Sequence, residues 1–395
     1  MTTYEELPKL DYRNPNIFGV NSYMRALQAE GPIIKVRTDA NDAAWLVTRH
    51  KQVNDLLIDR RLGRTHPDPD NAPRFLDNPM LDLPRKSVDF TSEREIHLRM
   101  RRHLAPYFAG SYIATIESRI SVIIHDWVEV LAKKGPPVDM QTEFAQPMTM
   151  QMLCELLGVP QSERESFPEL VRQAFSLADV ANATSSNEVV YGYFRGLAAR
   201  KRADPGEDIM SALASAGLDD QEITEMAAML LYAAYGSTSN NLALGIARLC
   251  TDPQLRDELV NNPDRMPDAV EECLRTASSG GFILPHYARE DIELNGVTIR
   301  KGDLVLLDYA LANFDEEVFP EPDRFDIDRN PNPHMTFSHG IWFCIGARLA
   351  RSQFRIAFNA LLAHFPNMHL AVPLSEVGRS GDHMGGEVGN LMVTW

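Results

Sequence analysis

The sequence predicts a mostly helical single domain, spanning residues 1 to 395, that carries a few small β-sheets. Three observations lead there. Apolar positions keep helical spacing from about residue 92 to 275, with breaks at Gly135-Pro136-Pro137, Gly158-Val159-Pro160 and Asp204-Pro205-Gly206. Short alternating stretches on either side of that region carry strand and hairpin signals. No fixed-period repeat, low-complexity tract or Gly/Ser linker divides the chain; its 395 residues would allow two or three domains, yet one large domain also fits.

Taken in order, residues 20 to 29 read as a short helix. Strands over 32–37 and 44–48 flank the turn-rich Asp39, Ala40, Asn41 and Asp42, which suggests a hairpin. Residues 64 to 90 hold five prolines and little periodicity, the texture of a long functional loop. Inside the helical region, 221–252 forms one long central helix of about 48 Å at ~1.5 Å per residue. Asp219 or Asp220 caps it, and Asp252-Pro253 ends it. Asn295-Gly296, centred between alternating strands over 292–299, is a strong hairpin signal, and 301–307 follows as another strand. A Pro-rich coil over 319–333, a helix from about 345 to 364 and an irregular tail, Gly-rich over 378–389, complete the chain.

Composition excludes several classes. With 44% hydrophobic residues a sizeable core is expected and global disorder is not. The longest apolar stretch, from Met226 to Tyr235, is about half a membrane span. The first residues have neither a basic flank nor an apolar segment, so no signal peptide is read there. Four scattered cysteines (Cys154, Cys250, Cys273 and Cys344) make no disulfide framework and point to a reducing cytoplasm. A net charge of −16 argues against general nucleic-acid binding.

Three clusters carry chemistry. Cys344 stands at the start of an amphipathic helix, where terminal amides and the dipole favour a thiolate. Gly340 and Gly346 around it permit tight turns and the close approach of a flat partner, while Phe337 and Phe343 can keep water from the sulfur. A lone cysteine at such a place is usually only a small buried residue; the flanking pattern is what gives it meaning. Glu272 and Arg275 lie three apart on one helix face and can pair, although most such pairs are solvated surface pairs of little worth. His97 and Arg101 lie one turn apart in a basic cluster that, taken alone, reads as a solvated face.

In this order the residues resemble the cytochrome P450 superfamily. Its haem-cysteine signature, Phe-x-x-Gly-x-x-x-Cys-x-Gly, is matched throughout from Phe337 to Gly346. Glu272 and Arg275 match the family's Glu-x-x-Arg helix, and His97 with Arg101 matches the His-x-x-x-Arg of bacterial members. The likeness continues through Ala312-Asn313-Phe314-Asp315, Phe319 to Pro322 and Arg324-Phe325-Asp326. The resemblance implies a cytochrome P450 fold and an iron protoporphyrin IX (haem b) whose metal ligand is Cys344. It also implies that His97 and Arg101 hold propionates, that Phe337, Gly346 and Ala234 lie at the haem, and that Glu272 and Arg275 brace the coil leading to Cys344. A ferredoxin and its reductase are the implied electron partners, with no membrane.

Departures from the family are equally specific. Where it usually has an acid and an alcohol mid-helix to relay protons, a gapless match puts Gly236 and Ser237; a shift of one puts Ser237 and Thr238 there, with no carboxylate in either register. His286 stands where an Arg commonly binds propionate, and Trp342 stands two before the cysteine in place of His or Arg. Trp342 offers one indole N–H and no charge, so the propionates lose up to two positive partners. By resemblance the substrate pocket is lined in part by Ser278, Ser279, Gly280 and Gly281, by Gly381 to Met384, and by Asn182 and Asn187, a polar set. The missing acid and stretches such as residues 31–38 look like aromatic-coupling members, the mycocyclosin-forming and biaryl peptide-crosslinking enzymes. The expected reaction is therefore oxidative C–C or C–N coupling of Tyr, His or Trp side chains in a small peptide. Hydroxylation of a polar natural-product scaffold is the alternative reaction, and a non-catalytic haem-binding or docking role is the alternative class.

Overall fold

The computed structural model describes residues 6–12, 17–76, 89–175, 180–277, 285–380 and 387–395. In chain order its strands are β1 (Ile33–Arg37), β2 (Ala43–Val47), β3 (Leu62–Gly63), β4 (Val138–Asp139), β5 (Pro285–Ala288) and β6 (Ile292–Leu294). They continue with β7 (Val297–Ile299), β8 (Leu304–Leu307), β9 (His369–Leu370), β10 (Gly378–Ser380), β11 (Glu387–Gly389) and β12 (Met392–Thr394). The chain divides into two compact units, each assembled from separated stretches of sequence.

The first unit takes residues 1–99, 271–344 and 381–386. Its sheet runs β1-β2-β8-β5-β3. β1 and β2 form the expected hairpin, with Ile33 opposite Val47 and Arg37 opposite Ala43. β8 adds to β2 in parallel, Trp45 facing Val305, and β5 adds to β8 antiparallel. All four residues of β8 are buried, as in a strand covered on both faces. β6 and β7 make the expected second hairpin; Asn295 and Gly296, at φ 50° and 79°, take the left-handed pair that a two-residue turn demands. Helices Ser22–Glu30, His50–Ile58 and Tyr309–Asn313 also belong to this unit.

The second unit takes residues 100–270, 345–380 and 387–395. The central helix is Asp220–Thr251, capped by Asp219 in a reciprocal box with Glu222. Asp252 ends it and caps the following helix, Pro253–Asn261, by accepting from the Leu255 N–H at 3.0 Å. Helices Val180–Ala203 and Gln146–Leu157 pack against it. Helices end at Lys134, Leu157 and Ala203, each just ahead of a break read from the sequence. β12 lies between β4 and β9, and β10 pairs with β11. Among the described residues, no helix is long and apolar enough to cross a membrane.

Some elements differ from the sequence reading. Helix His50–Ile58, β3 to β5 and helix Tyr309–Asn313 were not anticipated, and the strand expected over 301–307 is the shorter β8. The cysteine-side helix is Ala347–His364, so Cys344 precedes it by three residues rather than opening it. The reason is local: the Cys344 N–H donates to the Phe337 carbonyl at 2.7 Å, which holds the cysteine in a turn and leaves Gly346 as N-cap.

Candidate functional site

The cysteine turn is shaped by residues that tolerate unusual backbone. Ser338 and Gly340 sit at φ 61° and 62°. A Cβ on Gly340 would stand 2.9 Å from Ile58 Cγ2 and 3.4 Å from the Leu57 carbonyl, so only glycine lets helix His50–Ile58 approach. Cys344 is exposed, whereas Cys154, Cys250 and Cys273 are buried. Burial pushes the Cys154 and Cys250 thiols up to about 12, keeping both protonated and inert. Phe337 is buried and its ring lies 6.5 Å from that of Phe343. Phe343 itself is 40% exposed.

Behind the turn lies a buried polar frame. Arg275 donates to both oxygens of Glu272, at 2.8 and 2.7 Å, and both side chains have no exposed surface. The guanidinium also reaches the carbonyls of Asn313, Pro322 and Arg324 at 3.0, 2.9 and 3.2 Å. Glu272 accepts from the Asp326 N–H and from Asn332 Nδ2, each at 3.0 Å. Asn313 accepts from the Met335 N–H and donates to Thr336, whose hydroxyl donates to the Leu274 carbonyl at 2.8 Å. The pair thus binds four donors and acceptors of the coil that follows, together with the Asn313 carbonyl at the end of helix Tyr309–Asn313. Asp315 extends the frame: it accepts from Arg49 and from the His50 N–H, each at 2.9 Å, and so caps helix His50–Ile58.

Trp342 is the centre of a second cluster in the same unit. His97 lies 4.5 Å from it between ring centroids and His286, fully buried on β5, lies 6.2 Å away edge-on. His97 Nε2 is paired with the Ile341 carbonyl at 2.9 Å, so this histidine holds the cysteine turn besides facing the cluster. Arg101 follows one turn later on the same helix, Glu93–Leu104, and is half-buried. Arg64, which the sequence reading passed over, stacks on Trp342 with its guanidinium carbon 4.2 Å from the ring centroid. The signal that could have found it is indirect: two positions that normally carry cations lack them, so a cation elsewhere was to be expected.

The central helix opens in its middle. Residues 232 to 238 are partly or fully exposed, between buried Leu230 and Leu231 on one side and buried Ser239 on the other. Ser237 donates back to the Ala233 carbonyl at 2.7 Å, and Ser239 to that of Tyr235 at 2.9 Å. Asn241 donates to the Ser237 carbonyl at 2.8 Å, and Asn240 accepts from the Val388 N–H at 2.9 Å. Thr238 alone in this polar island makes no side-chain hydrogen bond among the described residues. A Cβ on Gly236 would meet nothing within 4 Å, so packing does not forbid an acid there. Ala234 lies in the same opening.

The expected lining residues Ser278 to Gly281 and Gly381 to Met384 lie outside the described residues, as do the side chains of Asn182 and Asn187. What is described fits an iron porphyrin. An exposed thiol in a rigid turn suits a metal ligand, and a cluster of Arg64, His97, His286 and an indole N–H suits carboxylates.

Comparison with known proteins agrees. The family model described as Cytochrome P450 matches residues 199–369. Pentalenolactone synthase of Streptomyces exfoliatus is 36% identical over 375 residues, covering 93% of this chain and 94% of the relative. Mycinamicin IV hydroxylase/epoxidase of Micromonospora griseorubida is 35% identical, covering 89% of each. Among solved structures, the substrate-free cytochrome P450 PimD, an epoxidase of the polyene macrolide pimaricin, superposes with a TM-score of 0.91 at 39% identity, covering 99% of this chain and 100% of the other.

Proposed function

The chain belongs to the cytochrome P450 family, and from that premise we propose that it is a monooxygenase inserting one oxygen atom, by hydroxylation or epoxidation, into a polar natural-product scaffold of macrolide kind. One observation carries the choice of reaction: relatives similar over 89% and 99% of this chain are named as a hydroxylase/epoxidase and an epoxidase. The family's haem, when bound, supplies thiolate-assisted activation of O2.

The chain's own residues do the rest. Cys344 is the metal ligand, set by the turn that the Phe337 carbonyl closes. Glu272 and Arg275 hold the coil behind it. His97 fixes the turn through Ile341, and with Arg101, one turn on in the same helix, it would hold a propionate. By the family pattern, Phe337, Gly346 and Ala234 would contact the ring, and His286 and Trp342 would serve its carboxylates. Thr238 is the alcohol that passes protons with water, a reading supported by its uncommitted hydroxyl; Ser237, tied to its own helix, is the lesser donor. A ferredoxin and its reductase deliver the electrons.

Aromatic coupling, the reaction expected from the missing acid, has no counterpart in those names, and an alcohol with water accounts for proton delivery past Gly236. The test is isotopic. With a ferredoxin, its reductase and labelled O2, a panel of macrolides and Tyr-containing cyclic peptides is offered to the purified enzyme. The expected product is a macrolide heavier by one labelled oxygen. A peptide product two hydrogens lighter, with label only in water, would overturn oxygen insertion and restore coupling.

A further inference from the structure

Arg64 poses a physical problem that the described residues do not resolve. Its Nε is buried with no hydrogen-bond partner, and its guanidinium makes no ion pair among the described residues. Burial lowers its proton affinity, the mark of a cation held without enough compensating charge. The nearest acid is committed elsewhere. Glu93 is ion-paired with Arg289, accepts from Thr65 at 3.1 Å, and accepts from the Arg64 backbone N–H at 2.8 Å rather than from its side chain. Tyr309 is close enough to feel the charge, but burial holds its phenol above the ordinary value, so it is neutral and no counter-ion.

The neighbours point the same way. Arg64 lies on the face of Trp342, which fixes the guanidinium plane without satisfying its N–H donors. The indole N–H of Trp342 also makes no hydrogen bond among the described residues. An indole donor and a guanidinium with an orphaned N–H, side by side and with no acceptor among the described residues, suit a carboxylate brought by a ligand. Trp342 occupies the position where the family usually places a His or Arg, and His286 occupies that of an Arg. Arg64 thus places a positive charge 4.2 Å from the Trp342 ring.

We propose that Arg64, oriented by Trp342, is the cation that pairs with a haem propionate in this chain, replacing charge that the positions of Trp342 and His286 no longer carry. The inference rests on the haem-thiolate assignment and adds the residue that anchors the carboxylate edge. It also explains why a Trp is tolerated two residues before the cysteine: there it serves as the platform of the arginine.

The test compares haem with its dimethyl ester, which removes the propionate charge and keeps the ring. The full chain is loaded with each, and haem loss to excess apomyoglobin is timed for the parent, Arg64→Gln, Arg64→Lys and Arg64→Gln with Trp342→His. In the parent the ester is expected to leave faster than haem. Arg64→Gln should speed loss of haem on the order of tenfold while barely changing loss of the ester, since one charged hydrogen bond is removed only where a charge exists. Arg64→Lys and the added Trp342→His should each recover part of the retention. Equal acceleration of haem and ester would assign Arg64 a packing role and overturn the proposal, as would no acceleration of either. The reduced carbon-monoxide spectrum separates this from the family assignment: a parent lacking the red-shifted thiolate band would refute Cys344 as ligand, whatever Arg64 does.

Discussion

The frame behind Cys344 and the open middle of the central helix use polar residues in opposite ways. Around Glu272 and Arg275 every donor of a fully buried guanidinium meets an acceptor, and its counter-ion meets two further donors. Between Gly236 and Asn241 the side chains turn back on their own helix or reach β11, and one hydroxyl is left over. In the first region a polar group is tolerated because the network is complete, and completeness makes it rigid. In the second, incompleteness leaves a group able to work on something outside the protein. The frame thus matches the spacing read from the sequence, while the open helix turn leaves the Thr238 hydroxyl uncommitted among the described residues.

The largest expected effect tests whether the frame is as tightly coupled as its geometry says. Arg275→Ala leaves Glu272 buried with Arg329 Nε at 3.6 Å as its nearest remaining cation. Breaking one partner of a buried pair costs about 3–5 kcal/mol. Arg275→Lys should fare little better, because an ammonium cannot span a bidentate carboxylate and three carbonyls. Urea titration of the haem-thiolate absorbance should show both variants with sharply lowered midpoints. A Lys variant with the parent's midpoint would mean that the frame holds by packing, and the contrast between the regions would weaken.

The two regions also differ in how far the sequence discloses them. The frame is readable because a three-residue spacing puts Glu272 and Arg275 on one face, and the signature around Cys344 fixes its turn. The central helix is readable because Asp219, Glu222 and Asp252 mark its ends locally. Helix His50–Ile58 was missed for the converse reason: Arg49 gives no side-chain cap, and the cap comes from Asp315, more than 250 residues away. The parallel pairing of β2 with β8 is likewise a contact of distant segments that no local pattern announces. Arg64 was missed because a single arginine in a loop has no periodicity; only its stacking on Trp342 reveals it. Coupling chemistry was inferred from an absent acid, and an absence says less about reaction than the hydroxyl that remains.

A second, smaller effect sharpens the frame side. Asp308 caps helix Tyr309–Asn313 by accepting from the Leu311 N–H at 2.9 Å. Burial lifts its carboxyl to about 6, against the opposing pull of the Leu311 and Ala310 amides. Its proton is therefore held more tightly in the folded chain than in the unfolded one, whose carboxyl titrates near 4. The stabilisation this gives is complete below about pH 4 and is lost as pH rises through about 6, a change of roughly 3 kcal/mol. Asp308→Asn keeps a cap and removes the titration, so urea midpoints between pH 4 and 6.5 should fall with pH in the parent relative to the variant. Parallel profiles would show that Asp308 is solvated enough to ionise freely.

The smallest expected change falls on the open side and decides which hydroxyl is the working one. Thr238→Ala removes a side chain that makes no hydrogen bond among the described residues, so its unfolding midpoint should match that of the parent within about 0.5 kcal/mol. Its catalytic loss should nevertheless be large for so small a deletion: on the order of tenfold less product per electron consumed, with the balance released as peroxide, as befits the loss of one proton-relay donor. Ser237→Ala removes a hydroxyl already donated to Ala233, and the helix keeps its backbone bonds, so product per electron should change less than about twofold. Oxygen uptake, peroxide and product measured together on both variants give the ratio. If Ser237→Ala is the more damaging, the gapless register is the correct one: the serine must then leave its own helix carbonyl during turnover, and the open turn would be less open than its hydrogen bonds indicate.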